Sequence, residues 1–520
     1  MTDIRTNSKY LLIATLIYIY VPVAIFMFGF TKTWIAIITC VIIAVFLRKL
    51  YSDHSKKLCE GMQINVSLKC LIWAILLLAI VCVLAGFGGI TVQAGDWWKH
   101  NAVIHDLVEK DWPVYYTREE YSLLTYYLGQ YMLPALVGKI FGHSFRVASI
   151  CMGIWGFAGV VLVYLNLVRI TRSDTTFKQL RTLVIMVFFC GCLVGAQTVL
   201  DALYPDSFYS LGSYHWVLVK WIQIQYRSNF VMLRWVYPQV IVPWLIVMLF
   251  AEDHRNMRNY VLLISPLLLY GTFSVVFLSF AALVCAVYEL AVSENKKTTL
   301  RDIFSLSNIL VFASFGLVML AYFIGYMQVS KPASSSFGLG SYELSTIPVY
   351  IIFCLFMYGF HAILVYRENK KNILFYITVA ALSVIPAFHM GLCNDWVMGT
   401  SIPALFMMMI FVINTLNEKK SSSGYGFRVG LLTALLIMGA WYPVREMADT
   451  AMSTEWGEDN TQDWYKTLET YSDRYCETVT EDILYNYYTY DLKGKFFYEH
   501  IARKKLDAVS YEETVTDTPF

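Results

Sequence analysis

Long apolar runs separated by short polar connections make up most of this chain. A helix needs about 20 mostly apolar residues to cross a bilayer, and thirteen runs approach or reach that length. They are 10–30, 33–48, 70–90, 147–170, 182–200, 235–251, 260–275, 276–292, 303–326, 344–366, 373–390, 402–416 and 429–446. The pattern predicts an all-α polytopic membrane protein with about 13 transmembrane helices.

Composition supports the same class. The 520 residues are 58% hydrophobic and only 15% charged, with a mean hydropathy of +0.53, whereas soluble domains carry about 25% charged residues. The net charge of +2 gives no reason to expect a nucleic-acid partner. The 11 cysteines are scattered, many within apolar runs, without metal-ligand spacing, so we interpret them as small apolar residues.

Basic connections between the runs predict the orientation, because short cytoplasmic loops are rich in Lys and Arg. The basic connections are 48–69, 171–181, 252–259, 293–302, 367–372 and 417–428. To keep all of them inside, the run 260–292 must be split near Gly271, and 123–141 must be an interfacial or re-entrant helix. The N-terminus, without a cleavable signal peptide, is then cytoplasmic, and the C-terminus lies outside the plasma (inner) membrane.

Three regions follow from this topology. Residues 1–69 are expected to form a helical hairpin with a cytoplasmic loop, and residues 70–446 a transmembrane core. Residues 447–520 are expected to form a small external cap, since 446–520 contains 17 acidic and 7 basic residues and no run long enough to span. The external polar segments of the core are 91–146, 201–234, 327–343 and 390–401.

The segment 91–146 supplies the best catalytic candidate, Asp96, which follows a hydrophobic helix closely. Residues 96–110 are predicted to form a short amphipathic helix, with Trp97 and the aliphatic side chains in the membrane interface. Asp96, Lys99, His100 and Asp106 would then face water. The alternative is a solvated interfacial helix without a catalytic role.

Two further segments carry candidate substrate groups. Asp201 and Asp206 follow an outward-running span, where they either hold a divalent cation or a sugar hydroxyl or merely solvate a helix end. The cationic candidates for binding a phosphate are Lys220, Arg227 and Arg234, although arginines near a membrane also reach towards headgroups. The cluster of His389, Asn394 and Asp395 lines either a cavity or an exposed turn.

Segment 95–170 resembles the membrane-embedded GT-C glycosyltransferases, especially the protein-O-mannosyltransferase and lipid A aminoarabinose transferase group. Asp96, the phrases VIHDLVEKDW and SLLTYYLGQYMLPALVGKIFG, and Arg146 at the start of the next span carry the resemblance. Asp201 and Asp206 stand where the family has its second acidic motif, and DWVMGTSIPALFMMM is similar to its late segment. The sequence departs from the family at Trp97, where a Glu usually follows the loop Asp.

The resemblance implies sugar transfer from a polyprenyl-phosphate donor to a glycan, lipid or protein acceptor at the outer face. Asp96 would be the general base, with a pKa raised towards working pH by partial desolvation. The implied substrate-binding residues are His100, Asp201, Asp206, Lys220, Arg227, Arg234 and Asp395, with Arg118 as one more cation. Membrane lipids are expected partners, and a divalent cation is the one cofactor left open.

Three other functions remain open at this point. A transporter or flippase of lipid-linked sugars would need ionisable residues within the spans. A glycan polymerase or ligase would place its main polar loop late in the chain. An inactive structural relative is compatible with Trp97.

Overall fold

The computed structural model describes residues 3–59, 63–116, 121–203, 217–219, 222–327, 337–339, 346–390, 394–418, 424–462, 467–469, 487–489 and 492–506. The first half of these residues contains α1 (Ser8–Phe30), α2 (Thr33–Cys59), α3 (Leu68–Leu84), α4 (Trp97–Glu109), α5 (Gly129–Ile140), α6 (Phe145–Ile170), α7 (Thr176–Phe188), α8 (Leu193–Leu203), α9 (Asn229–Val236), α10 (Ile241–Asp253), α11 (Tyr260–Ile264) and α12 (Leu267–Tyr270). The second half contains α13 (Thr272–Val292), α14 (Lys296–Ile303), α15 (Leu306–Val311), α16 (Leu317–Met327), α17 (Ile347–Cys354), α18 (Phe360–Asn369), α19 (Ile373–Val384), α20 (Asp395–Asn417), α21 (Tyr425–Gly439) and α22 (Trp441–Ser453).

Short strands and tighter or wider helical turns connect these helices. The strands are β1 (Asp3–Asn7), β2 (Gln63–Ser67), β3 (Tyr115–Tyr116), β4 (Ser122–Leu124), β5 (Val217–Val219), β6 (Ile222–Ile224), β7 (Gly338–Leu339), β8 (Phe388–His389) and β9 (Tyr488–Thr489). All paired strands run antiparallel: β1 with β2, β5 with β6, β7 with β8, and β3, β4 and β9 in one sheet. The 3₁₀ turns are Phe87–Gly89, Tyr237–Gln239, Met257–Asn259 and Ile385–Ala387, and the π turns are Phe312–Gly316, Leu355–Gly359 and Phe497–Ile501.

The structure confirms an all-α polytopic membrane protein. Within the described residues, 8 helical segments are long and apolar enough to cross a membrane, or up to 10 if two bent pairs each count as one span. The bent pairs are α7–α8, with a 44° bend, and α9–α10, with a 98° bend. The other three predicted spans correspond to shorter helices, at Leu68–Leu84, at Ile373–Ala387 and at α11–α12.

The predicted break near Gly271 is confirmed, since α12 ends at Tyr270 and α13 begins at Thr272. Residues 260–270 rise only about 16 Å as a helix. The 21 residues of α13 rise about 31 Å, the thickness of a hydrocarbon core. The α11–α12 pair is therefore a half-length element beside a full-length helix.

Helix α20 lies at the centre of the bundle. The most apolar part of α20 is 94% buried, whereas the most apolar part of α2 is 22% buried. The faces of α20 are mostly apolar all round, which is typical of a helix enclosed by others. Helices α10, α13, α18 and α19 pack around it. Consecutive methionines at 407–409 fill its irregular contacts.

Helix α5, in the segment predicted to be interfacial or re-entrant, has 12 residues and rises only about 18 Å. It packs on α1, α4 and α6. Its first residue, Gly129, has no room for a side chain, because a Cβ there would lie 2.6 Å from the ring of Tyr270. The same close approach occurs at Gly159 of α6, where a Cβ would lie 2.3 Å from the hydroxyl of Tyr18.

The described parts of the C-terminal region pack against the core. Strand β9 extends the β3–β4 sheet, with Leu123 opposite Thr489 and Leu124 opposite Tyr488. Further along, Thr31 forms a bridge with Ala502 at the turn between α1 and α2. The chain is therefore anchored on both sides of residues 490–501.

Replacing Gly159 by Leu tests this packing. The new side chain would meet Tyr18 and the Cγ2 of Ile241, which lies 2.7 Å from the Cβ position. We therefore expect the free energy of unfolding to fall by about 1–3 kcal/mol. Gly430→Leu on α21 is the matched control, because nothing lies within 4 Å of its Cβ. In detergent, Gly159→Leu should lower the Tm, whereas Gly430→Leu should leave it unchanged. Equal Tm values would contradict the packing.

Candidate functional site

Asp96 is positioned by the irregular connection between α3 and α4. The chain leaves α3, passes Gly86 in the left-handed region (φ 92°) and a 3₁₀ turn, and enters α4 directly after Asp96. Residues three apart on a helix lie side by side, and the Nζ of Lys99 lies 2.8 Å from Oδ1 of Asp96. The Asp96 side chain stays 30% exposed and that of Lys99 21% exposed, so the pair is only partly covered by the rest of the chain, and we call its surroundings a recess.

Other parts of the chain contribute charged and phenolic groups to the same recess. Lys99 interacts electrostatically with the phenols of Tyr127 and Tyr487. Asp395, at the start of α20, interacts electrostatically with Asp96 and Lys99. We call the recess formed by these side chains and Arg227 the polar recess: Asp96, Lys99, Tyr127, Arg227, Asp395 and Tyr487.

Lys99 sets the charge state of Asp96. Burial raises the pKa of Asp96, but the charge of Lys99 and its hydrogen bond, together with the charge of Arg227, outweigh burial and hold the pKa below its ordinary value. The expected upward shift of the Asp96 pKa is therefore wrong, because the carboxylate has a cationic partner one turn along its own helix. Burial lowers the pKa of Lys99, but Asp96 reverses this effect and holds it well above its ordinary value.

His100 is buried and neutral, so its expected exposure to water is wrong. Burial, followed by the charge of Lys99, lowers its pKa to about 4. Its Nε2 lies 3.1 Å from the carbonyl of Trp235, which only accepts, so Nε2 carries the proton. Its Nδ1 then accepts from the hydroxyl of Tyr131 at 2.6 Å. Both ring nitrogens thus connect α4 to α5 and α9 rather than to the recess.

Asp106 is likewise buried rather than exposed. Burial raises its pKa to about 7, against the lowering effect of the Tyr116 hydroxyl, which donates to Oδ2 at 2.7 Å. The backbone N–H of Leu468 donates to the same oxygen at 3.1 Å. This carboxyl group therefore connects α4 with β3 and the C-terminal region.

Arg234 is part of the scaffold below the recess. Its Nε lies 3.1 Å from Oε1 of Glu446 on α22, and its NH1 donates to the carbonyls of Leu84 and Val92 at 3.1 and 3.0 Å. The Trp235 indole donates to the same Glu446 oxygen at 3.2 Å. Arg234 thus joins α9 to α22 and to the end of α3.

Arg227 is the arginine that faces the recess. Its charge lowers the pKa of Asp96 and acts on Asp395 as well. Its Nε donates to Oε1 of Gln225 at 2.7 Å, and its guanidinium lies 5.9 Å from the ring centroid of Trp235. These contacts hold a mostly buried guanidinium within electrostatic range of the two carboxylates.

The remaining predicted site residues lie elsewhere. Asp201 is near the end of α8, where its charge faces Tyr442 of α22. Asp206, Lys220 and Arg118 lie outside the described residues. Within the part of the chain that the structure describes, no three His, Cys, Asp or Glu side chains are placed to hold a metal ion. A divalent cation therefore stays a prediction.

Trp97, the residue after Asp96, packs into the core. Its ring stacks on Tyr237 at 5.1 Å with an interplanar angle of 6°, and its Nε1 donates to the carbonyl of Arg234 at 2.7 Å. The side chain at position 97 therefore points away from the recess, and the second recess carboxylate is Asp395.

From the sequence, Lys99 is predicted only to face water, and no role is predicted for Tyr127 or Tyr487. The spacing of Lys99, three residues after Asp96 at a helix start, is a local signal that predicts the ion pair. Tyr487 directly precedes β9, near the C-terminus. No local pattern connects it with a helix so far away in the sequence.

Comparisons with protein-family models, with curated proteins and with solved structures found no match for this chain.

Replacing Glu446 by Gln tests the scaffold role of Arg234. The substitution leaves a buried guanidinium without its counter-charge, and such losses cost about 3–5 kcal/mol. We expect a clear fall in Tm for Glu446→Gln in detergent. Glu455→Gln, at an exposed position following α22, is the control and should change the free energy of unfolding by less than about 0.5 kcal/mol. An unchanged Tm for Glu446→Gln would contradict the assignment.

Proposed function

We propose that this protein is a GT-C-type glycosyltransferase that transfers a sugar from a polyprenyl-phosphate donor to an acceptor hydroxyl at the outer face of the plasma (inner) membrane. The observation that carries the proposal is the polar recess, in which an ionised carboxylate, a second carboxylate and two cations meet beside phenols. The acceptor is a glycan, a lipid or a protein.

Asp96 is the general base in this proposal. Its depressed pKa keeps the carboxylate ionised near neutral pH, and its 30% exposure leaves it accessible to a hydroxyl group. An ionised carboxylate that is paired with Lys99 is a weak base. When the phosphate of a donor competes for Lys99, burial dominates and raises the pKa of Asp96, so the donor itself strengthens the base.

Lys99 and Arg227 stabilise the leaving phosphate. Phosphate oxygens gain negative charge as the bond to the sugar breaks, and cations already in place stabilise that charge without reorganisation. Lys99 supplies a mobile ammonium, and Arg227 a guanidinium held by Gln225. The fork geometry of a guanidinium suits phosphate binding.

The reaction is a single displacement. The acceptor oxygen bonds to the anomeric carbon as Asp96 takes its proton, and the bond from that carbon to the phosphate oxygen breaks with its electron pair leaving on the phosphate. The sugar configuration is thereby inverted. Tyr127 and Tyr487 supply hydroxyl groups and ring faces to hold the sugar.

A transporter of lipid-linked sugars is the second candidate, and His361 favours it. This histidine is fully buried in the span Ile347–Asn369, and neither ring nitrogen has a hydrogen-bond partner among the described residues. Ionisable residues inside membrane spans often mark transport pathways. Movement of a lipid-linked sugar across the bilayer of proteoliposomes would favour this candidate if His361→Phe abolished it and Asp96→Asn did not.

Replacing Asp96 by Asn tests the general base. We expect transfer from polyprenyl-phosphate sugars to fall by about 10²- to 10⁴-fold, the usual contribution of such a base, while binding of polyprenyl phosphate is kept. Asp111→Asn is the control, because Asp111 is exposed and pairs with Lys504 at 2.9 Å outside the recess. The measurement is product formation in purified membranes with a panel of donors, and full activity of Asp96→Asn would refute the proposal.

Replacing Lys99 by Met tests its control over Asp96. The base works when ionised, so activity falls as the pH drops through the Asp96 pKa. Without Lys99, burial raises that pKa, and the acid limb of kcat/KM should move to higher pH.

Lys99→Arg should keep the acid limb low, because it keeps the charge. A Lys99→Met profile that was lower at every pH, without any change of shape, would show that Lys99 does not control Asp96.

A further inference from the structure

A long apolar groove lies on the side of the bundle where α11 and α12 separate α13 from α15–α16. Its volume is about 600 Å³. On α13 its lining runs from Thr272 to Ala286, a rise of about 21 Å. That length exceeds one leaflet of hydrocarbon, which is about 15 Å thick, so the groove has room for a lipid chain along its whole depth.

The lining is almost entirely hydrocarbon. It includes Leu268, Val275, Ala282, Phe312, Met319 and Phe323. The polar side chain of Asn308 is already occupied, since its Nδ2 donates to the carbonyls of Met257 and Ile303 at 2.7 and 2.9 Å. A sugar or a peptide would lose its hydrogen bonds to water here. The shape and chemistry of the groove therefore fit a lipid chain.

One end of the groove is basic. The last residue of α14, Ile303, lines the groove, and Lys296, Lys297 and Arg301 are exposed on the same helix. Leu300 and Phe304 are exposed as well, which is the composition of a helix that lies at a membrane surface.

Acidic groups offset only part of this charge. Asp302 is paired with Arg258 at 2.7 Å, and Glu289 with Arg255 at 3.9 Å. Glu294 is the only other acidic residue of the connection 293–302. The three cations of α14 therefore outnumber Glu294 beside the end of the groove.

We propose that this groove is a binding site for an anionic glycerophospholipid, with an acyl chain along α13 and the headgroup phosphate at Lys296, Lys297 and Arg301. The headgroup lies at the basic end, which the connection 293–302 predicts to be cytoplasmic. The lipid is bound independently of any sugar transfer.

Native mass spectrometry of the full chain in detergent, titrated with phosphatidylglycerol or phosphatidylcholine, tests the site. We expect tighter binding of phosphatidylglycerol. Replacing Lys296, Lys297 and Arg301 by Gln should weaken it by at least about tenfold. The charge-matched control replaces Arg367, Lys370 and Lys371, which are exposed at another basic connection, and should leave the affinity unchanged. Equal weakening by both triple variants would overturn the proposal.

Filling the groove provides the second test. Ser279→Trp should abolish the bound phosphatidylglycerol, because Ser279 lines the groove. Val276→Trp, one turn away and 41% exposed, adds the same ring outside the lining and should retain the lipid. Loss with both variants or with neither would overturn the site. The proposal would also be overturned if polyprenyl phosphate displaced phosphatidylglycerol and this displacement depended on the groove but not on the α14 cations.

Discussion

Asp96 and Lys99 form an ion pair inside a chain that is 58% hydrophobic, and the arrangement of charge around them follows from that pair. A charge removed from water is costly unless it is paired or hydrogen-bonded. The structure meets this constraint in two ways. In the scaffold, Arg234 with Glu446, Arg169 with Glu252 and Arg428 with Glu368 each join two helices. In the recess, the pair keeps partial exposure, while the adjacent His100 remains neutral chiefly because it is buried and secondly because Lys99 is charged.

Several helix breaks adjoin the polar recess, and the membrane environment explains why. Backbone groups outside helices must find partners inside a bilayer, so irregular backbone is tolerated only where protein or a polar cavity surrounds it. Around the recess, α4 follows a 3₁₀ turn and an irregular connection, α9 and α10 meet at 98°, and β8 precedes α20. Polar side chains fill the breaks: Gln93 donates to the carbonyl of Gly86 at 2.9 Å, and Gln239 to Tyr127 at 2.5 Å. The recess therefore lies beside breaks whose backbone groups are partnered by polar side chains.

Structural features that depend on neighbouring residues were predicted from local sequence patterns. The apolar runs gave the helices, and a single glycine located the break between α12 and α13. Three candidates chosen from sequence, Asp96, Arg227 and Asp395, meet in the recess. The errors concern the surroundings of side chains, which depend on contacts between distant segments. His100 and Asp106 have polar side chains on a short helix, and nothing in the helix itself indicates that α5, α9 and β3 cover them. For the same reason, the scaffold role of Arg234 depends on Glu446, more than two hundred residues later.

The direction of the side chains on α4 determines which of them reach the recess. Asp96 and Lys99, three residues apart, share the recess, whereas Trp97 stacks on Tyr237 in the core. A residue at 97 therefore affects packing, and its identity alone does not remove a carboxylate from the recess. The second carboxylate comes from Asp395, at the start of the central helix α20. Asp395 is partly buried, and α20 is buried almost throughout from Val397 onwards, so the carboxylate stands at the end of a helix that the bundle holds in place. The charge balance of the recess thus depends on the electrostatic interaction of Asp395 with Asp96 and Lys99 rather than on two adjacent residues of one loop.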